Sequence, residues 1–309
     1  MRILLFRGDG NTAPWISEFN AVMPDAEMVL WREGEHVAPC DYAVLWTPPA
    51  GLLRELAQVK AIFLCGAGAD AILKFGDALP DVPIVRVGDA GMGVQMAEYV
   101  VHAVLRYFRR MDEYEKQARR GIWAALPRTP KHEFSIGVMG VGQLGKRVLA
   151  ALAAFEFPLR GWSRTRKEID GVTCFAGDAE LDDFLSGTRV LVCMLPLTPA
   201  TNNLMDRGRL SKLPQGAYLI NVARGALVAE PDLLTLIRAG HIAGATLDVF
   251  RNEPLPGPHP FWEEPRITIT PHVSGTTVRE DSVVQMMHKI RALERGEVVA
   301  DVVDRTLGY

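Results

Sequence analysis

The sequence predicts an α/β protein with two doubly wound parallel-sheet domains, the first of them discontinuous. Short β-rich runs alternate with helical patterns from end to end, which is the signature of parallel strands joined by helical crossovers. A glycine motif, Gly140-Val141-Gly142-Gln143-Leu144-Gly145, sits between an apolar run and a helix pattern near the middle of the chain. Two long helical stretches flank the strands that follow it, as crossovers between two lobes would.

The first series of strands is expected at Arg2 to Phe6, Glu27 to Trp31, Tyr42 to Trp46, Lys60 to Leu64 and Pro83 to Val87. One long amphipathic helix comes next. Val94, Ala97, Val101, Val104, Leu105, Phe108 and Met111 form its apolar stripe, with Arg106, Arg109, Arg110 and Glu113 on the polar side. A second series is expected at Phe134 to Met139, Pro158 to Trp162, Arg189 to Leu195, Ala217 to Val222, Ala243 to Val249 and Arg266 to Ile269. A last helix near Thr276 to Leu293 returns to the first lobe. The boundaries are therefore 1–92 with 275–309 for one domain, and 93–274 for the other. The proline-rich stretch from Glu253 to Pro260 reads as a rigid ordered loop.

At 309 residues the chain can build two ordinary cores, and 48% hydrophobic with 23% charged residues fits a globular protein. A formal net charge of −3 points to neither nucleic acid nor an anionic membrane surface as partner. Apolar runs such as Val148 to Phe155 are too short to span a bilayer, and the first residues lack a signal-peptide pattern, so a cytoplasmic location is expected. Cys40, Cys65, Cys174 and Cys193 have no CxxC spacing and read as free thiols. The histidines show no metal-ligand spacing, so no metal site is expected.

Three segments fit a glycine-rich βα turn: Gly8 to Ala13, Gly66 to Ala71 and Gly140 to Gly145. Only the third has the full context, with strand Phe134 to Met139 before it, helix Gln143 to Ala154 after it, and a strand at Pro158 beyond. That context identifies a Rossmann unit, in which Gly140, Gly142, Gln143, Leu144 and Gly145 would meet a dinucleotide pyrophosphate at a helix N-terminus. Gly8 to Ala13 reads as an ordinary turn. The Gly66–Gly68 turn could present amides to a carboxylate or be a plain tight turn.

The end of the second nucleotide-binding strand selects the cofactor. An NAD site places Asp or Glu there for the ribose hydroxyls, whereas this chain reads Ser163-Arg164-Thr165-Arg166-Lys167. A hydroxyl followed by three cations suits a 2′-phosphate, so NADP is expected, with NADPH preferred to NADH.

Arg224 in NVARG, Glu253 in RNEP and His272 in TPHVSG each follow a short apolar run, where a strand would deliver them to the carboxyl edge of the sheet. Each alone could be structural: a surface arginine, a loop carboxylate, a structural histidine. Together they provide a guanidinium for a carboxylate, a proton donor, and a carboxylate to favour the charged imidazole, which is what reducing a 2-keto acid requires. Asp248, at another strand end, could orient a nicotinamide amide or Arg224, or be a structural cap. Trp46 could wall a small substrate cleft or belong to a core.

The strings NVARG, LDVFRNEPLP, TPHV and LPLTPAT, with the glycine motif, resemble the D-isomer-specific 2-hydroxyacid dehydrogenase family. The segments WTPP (from Trp46), LCGAGAD, GMG, WSRTRK and the last residues from Val303 resemble its glyoxylate/hydroxypyruvate reductase branch. The resemblance covers essentially the whole chain. It implies a flavodoxin-like substrate-binding domain, an NADP-binding Rossmann domain and a homodimer. It implies Arg224, Glu253 and His272 as catalytic, the backbone amides of Ala67 and Gly68 at the substrate carboxylate, and Ser163 and Arg164 at the 2′-phosphate, with Arg166 and Lys167 following in the same basic turn. Leu195, Pro196, Thr201, Ala223, Asp248, Ser274 and Gly275 would complete the cofactor site.

The function these residues support is reduction of small 2-keto acids by NADPH. A related dehydrogenase with another substrate, or a dinucleotide-sensing binding protein on the same fold, are the alternatives. No tyrosine is followed by lysine four residues on, which argues against a short-chain dehydrogenase. The mid-chain glycine motif argues against an L-lactate or malate dehydrogenase.

Overall fold

A computed structural model describes residues 1–309. The chain divides into two compact units, Met1–Met92 with Thr277–Tyr309, and Gly93–Thr276.

The first unit carries strands β1 (Arg2–Arg7), β2 (Glu27–Leu30), β3 (Tyr42–Trp46), β4 (Ala61–Leu64) and β5 (Ile84–Val85). All pair in parallel in the order β2-β1-β3-β4-β5, the flavodoxin-like order. Its helices are α1 (Ala13–Val22), α2 (Ala50–Glu55), α3 (Asp70–Leu73) and, from the chain's end, α10 (Arg279–Glu294). Strand residues alternate between faces. Leu4, Ala43, Leu45, Ile62 and Leu64 join Leu52, Leu53, Leu56 and Ile72 in one core layer. The opposite face holds Ile3, Leu5, Tyr42, Val44 and Phe63, all fully buried. There the Tyr42 hydroxyl donates to Glu294 Oε1 of α10 at 2.7 Å. Burial on both faces explains why these strands read as unbroken apolar runs.

The second unit opens with α4 (Met92–Phe108) and α5 (Met111–Arg119). Its seven parallel strands are β6 (Ile136–Met139), β7 (Leu159–Ser163), β8 (Val172–Ala176), β9 (Val190–Cys193), β10 (Ala217–Asn221), β11 (Ile242–Leu247) and β12 (Ile267–Ile269). Their order, β12-β11-β10-β9-β6-β7-β8, is the doubly wound Rossmann order, reversing between β6 and β9. Helices α6 (Gln143–Ala153), α7 (Leu181–Ser186), α8 (Arg207–Leu210) and α9 (Glu230–Arg238) complete it. Ile136, Val138, Val190, Val192, Tyr218 and Ile220 face α4 and α6, while Met139, Leu191, Cys193, Leu219 and Ala245 pack with α7 and α9 on the other side. Gln95, in the first turn of α4, binds Thr276 at the unit's far end: its Nε2 donates to the Thr276 carbonyl, and its Oε1 accepts from the Thr276 hydroxyl.

Two expectations need correction. The second series has a strand more than the sequence reading assigned. Val172–Ala176 is the outermost strand beside β7, half exposed along its length, and charged segments on both sides mask its Val-Thr-Cys-Phe β signal. The long helix is also not continuous through Met111. It breaks at Arg110, whose φ of 56° is left-handed, and α5 begins beyond it. Most of the α4 stripe is spent on its own unit: Ala97 and Val104 are buried, and Val101, Leu105 and Phe108 pack against the same core. The ends of the stripe, Val94 and Met111, stay exposed, as do Ile122 and, most of all, Trp123 just after α5.

No helix is long and apolar enough to cross a membrane. The four cysteines are free, and burial pushes the Cys65 and Cys193 thiols up to about 12, which keeps them protonated and unreactive.

Candidate active site

The functional candidates of the second unit lie at the carboxyl ends of its strands. The glycine loop joins β6 to α6, and its glycines differ in what they require. Gly140 has φ 114°, and a β-carbon there would lie 2.6 Å from the Met194 carbonyl. At Gly145, a β-carbon would be 2.0 Å from the Gly140 oxygen, so helix and loop touch only because it is absent. Gly142 is different: it caps α6 with extended backbone, and a β-carbon would meet nothing within 4 Å. That open space at the N-terminus of α6 could hold a phosphate group. Gln143 and Leu144 form the first turn beside it.

Ser163 is the last residue of β7, and its hydroxyl donates to the Thr165 carbonyl at 2.8 Å. Arg164 and Arg166 are exposed and Lys167 half-buried. Arg166 is engaged elsewhere. It pairs with Glu180 and donates to the Cys174 carbonyl at 3.0 Å, so its charge is partly matched within the protein. After β9, Leu195 packs on the core and the Thr201 hydroxyl donates to the Pro196 carbonyl at 2.7 Å, closing the loop between them.

Arg224 stands three residues beyond β10. Asn221, itself buried, shapes this turn: its Nδ2 donates to the Arg224 carbonyl at 2.9 Å and its Oδ1 accepts from Ala223 N. The Arg224 guanidinium donates to the Ala223 carbonyl at 2.7 Å. The next residue is glycine for a steric reason. A β-carbon on Gly225 would lie 1.9 Å from the Phe250 carbonyl carbon, so the loops after β10 and β11 approach this closely only because the residue is glycine.

That contact leads to Glu253. One carboxylate oxygen, Oε1, accepts the Phe250 N–H at 2.9 Å; the other lies 2.7 Å from His272 Nδ1. The carboxylate is thus aimed by a backbone amide before it meets the ring. With Nδ1 turned to Glu253, Nε2 is the nitrogen left for other chemistry. Both side chains remain open to solvent, the His272 side chain at 45% and that of Glu253 at 36%.

His272 has φ 55°, a conformation that costs an ordinary L residue about 1–2 kcal/mol. Asp248 fixes it. Directly after β11 and fully buried, Asp248 accepts His272 N–H through its backbone carbonyl at 2.8 Å. Its carboxylate accepts the amides of Val273 and Ser274, each at 2.8 Å, and the Thr270 hydroxyl at 2.6 Å. These bonds give Asp248 the part of a structural cap on the His272 turn. Ser274 is buried and Gly275 half-buried beyond it.

In the first unit, Trp46 ends β3 with its side chain partly exposed. The Arg7 guanidinium lies 5.8 Å from its ring centroid and 4.9 Å from that of Trp15. Its six-membered ring covers Gly66, and Ala67 and Gly68 follow half-buried in a turn leading to α3. Arg86 Nη1 donates to the Ala67 carbonyl at 3.3 Å, which places a cation beneath this turn. The Gly8 segment is an ordinary turn into α1, where Gly8 N donates to the Trp46 carbonyl.

Sequence reasoning missed Asn221, Gly225, Thr270 and the Phe250 amide. Gly225 had a local signal, a glycine directly after a candidate arginine. The Phe250 amide had none, since backbone donors carry no residue identity.

Known proteins resemble this chain over its whole length. Residues 101–274 match the model of the D-isomer specific 2-hydroxyacid dehydrogenase, NAD binding domain. A glyoxylate/hydroxypyruvate reductase A from Yersinia enterocolitica is 45% identical over 314 aligned positions, covering all of both chains. Among solved structures, a D-isomer specific 2-hydroxyacid dehydrogenase from Xanthobacter autotrophicus in complex with NADPH and MES superposes with a TM-score of 0.95 at 39% identity, over 100% of this chain and 99% of that one. An NADPH-dependent glyoxylate/hydroxypyruvate reductase from Sinorhizobium meliloti, in complex with NADP and sulfate, gives 0.92 at 32% identity over the same shares.

Proposed function

The chain belongs to the D-isomer specific 2-hydroxyacid dehydrogenase family, and from that premise we propose that it reduces glyoxylate to glycolate and hydroxypyruvate to D-glycerate. It is an oxidoreductase that uses NADP(H) on small 2-hydroxy and 2-keto acids. The observation that carries the finer reading is the His272–Glu253 pair at 2.7 Å, beside the Arg224 turn on the neighbouring strand end.

When bound, the reduced nicotinamide supplies a hydride to the keto carbon. The chain's residues do the rest. His272, protonated and held through Nδ1 by Glu253, donates its Nε2 proton to the carbonyl oxygen as the C–O double bond becomes a hydroxyl. Arg224 binds the substrate carboxylate and stabilises charge developing on the oxygen. The turn amides of Ala67 and Gly68 are assigned to substrate binding, and Trp46 to limiting substrate size. Ser163 and Arg164 are assigned to the 2′-phosphate, with Lys167 nearby, and the open space at Gly142 to the pyrophosphate.

A homodimer is part of this reading. Its support is the pair of adjacent exposed side chains Ile122 and Trp123. NADPH and NADH oxidation measured against a series of keto acids tests the whole assignment: activity with neither glyoxylate nor hydroxypyruvate would refute the substrate class.

A further inference from the structure

A half-buried chain of hydroxyls reaches the His272 turn from α4, and proton donation by His272 does not by itself require it. Tyr99 lies on α4 with its ring against the core of the second unit. Its hydroxyl is 2.5 Å from Thr270 Oγ1, and Thr270 Oγ1 is 2.6 Å from Asp248 Oδ1. The direction of the chain follows from the donor inventory. A carboxylate can only accept, so the Thr270 proton goes to Asp248, and the Tyr99 proton must go to Thr270. Burial pushes the Tyr99 phenol up to about 12, so it keeps the proton it donates.

Asp248 is the hub on which the turn hangs. Through carboxylate and carbonyl it receives Thr270, His272, Val273 and Ser274, four of the five residues from Thr270 to Ser274. His272 within that span has its φ at 55°, a conformation that persists only where the surroundings over-determine it. Oδ1 carries two of these bonds, one from the Val273 amide and one from Thr270. The amide is fixed by the backbone. The Thr270 hydroxyl can rotate, and Tyr99 is what sets its rotamer.

We propose that Tyr99 and Thr270 are positioning residues for His272: they orient the Asp248 carboxylate, which holds the left-handed turn and so keeps the ring against Glu253. The inference rests on the reading of His272 as the proton donor. It predicts a defect in turnover, not in binding, because neither hydroxyl is assigned a contact with substrate or cofactor.

The test uses Tyr99→Phe, Thr270→Val and Thr270→Ser in the full-length protein, with NADPH and glyoxylate. Loss of one neutral hydrogen bond should lower kcat about 3- to 10-fold in Tyr99→Phe. Leaving a buried carboxylate oxygen short of a donor should lower it about 10- to 100-fold in Thr270→Val. KM for both substrates should stay within about twofold, and Thr270→Ser, which keeps the hydroxyl, should restore most of kcat. A second readout needs no turnover. In the cofactor-free protein, the hydrogen-bonded His272 Nδ1 proton, assigned by its loss in His272→Ala, should broaden or shift in Tyr99→Phe and Thr270→Val and persist in Thr270→Ser. Where Thr270→Val does not fold, Tyr99→Phe decides, since it removes one oxygen. An unchanged kcat and proton signal in Tyr99→Phe, or a Thr270→Ser no better than Thr270→Val, overturns the proposal. Full turnover in His272→Ala would instead overturn the acid assignment, and the proton signal would still report on the turn.

Discussion

The indole of Trp46 covers Gly66 so closely that a β-carbon on the glycine would lie 2.9 Å from Cζ3 of the ring. The Arg7 guanidinium lies 5.8 Å from the ring centroid. If this ring walls the substrate cleft, as proposed, the substrate series should reflect it. Glyoxylate and hydroxypyruvate should be reduced well, phenylpyruvate and 2-ketoisocaproate poorly. In Trp46→Ala the kcat/KM ratio of small to bulky acids should fall by about tenfold or more, since steric exclusion discriminates more sharply than an added methylene. Efficient turnover of the bulky acids by the unaltered protein would sink the small-substrate reading and leave the dehydrogenase assignment standing.

His272→Ala should lose about 10²–10⁴-fold in kcat, the range for removing a positioned general acid. Arg224→Ala should damage kcat and KM together, because a guanidinium on the carboxylate serves ground and transition states alike. With His272 as the proposed acid, reduction would need the protonated ring and oxidation the neutral one. With chemistry limiting, keto-acid reduction should fall as pH rises and hydroxy-acid oxidation should rise. Parallel profiles in the two directions would remove His272 from the proton transfer.

The cations after β7 should separate by their partners. Arg166 pairs with Glu180, whereas Arg164 is assigned to the 2′-phosphate. Arg164→Ala should erode the preference for NADPH by about 1.5–3 kcal/mol, the scale of a hydrogen bond to a charged group. Arg166→Ala should change it less. The ratio of kcat/KM for NADPH and NADH measures both, and an equal effect of the two would show that the Glu180 pair breaks on binding.

Acid should weaken the first unit through Glu294. Lys60 first, and the Tyr42 hydroxyl second, hold its carboxyl below the usual carboxylate range. A folded-state pKa below the unfolded one stabilises fully above the unfolded value, about 4.3, and that stability is lost as pH falls through the lower folded value. The Tm of Glu294→Gln should lie below that of the unaltered protein from pH 8 to 6, and the gap should close in acid. A gap independent of pH down to about 3 would mean that the ion pair contributes nothing.

Light scattering at micromolar concentration should give twice the chain mass. If a second copy covers the exposed Trp123, then Trp123→Glu should shift the equilibrium towards monomer. A monomer mass for the unaltered protein refutes the assembly.

Much of this was legible in the chain itself. Eleven of the twelve strands announce themselves as short apolar-rich runs, because most of their positions are buried against a helix layer on one face or the other. The glycine motif and its flanking strand and helix specify a Rossmann unit, since phosphate cradling imposes backbone requirements that only glycine meets. The basic turn after β7 and the order of Arg224, Glu253 and His272 point to a reductant and a keto acid for the same kind of reason: each is a side-chain chemistry at a strand end. What folding alone decided are relationships without a local signal. Edge strand β8 forms on half-buried residues that need β7 as a template. The helix after Val94 breaks at Arg110 and packs most of its stripe on its own unit, although its periodicity runs on. Glu253 is aimed by the Phe250 amide, Gly225 lets two loops meet, and Asp248 ties the His272 turn into a left-handed conformation. Side-chain type is written in the sequence. Where a backbone amide or carbonyl points is not, and at this site those groups place the histidine.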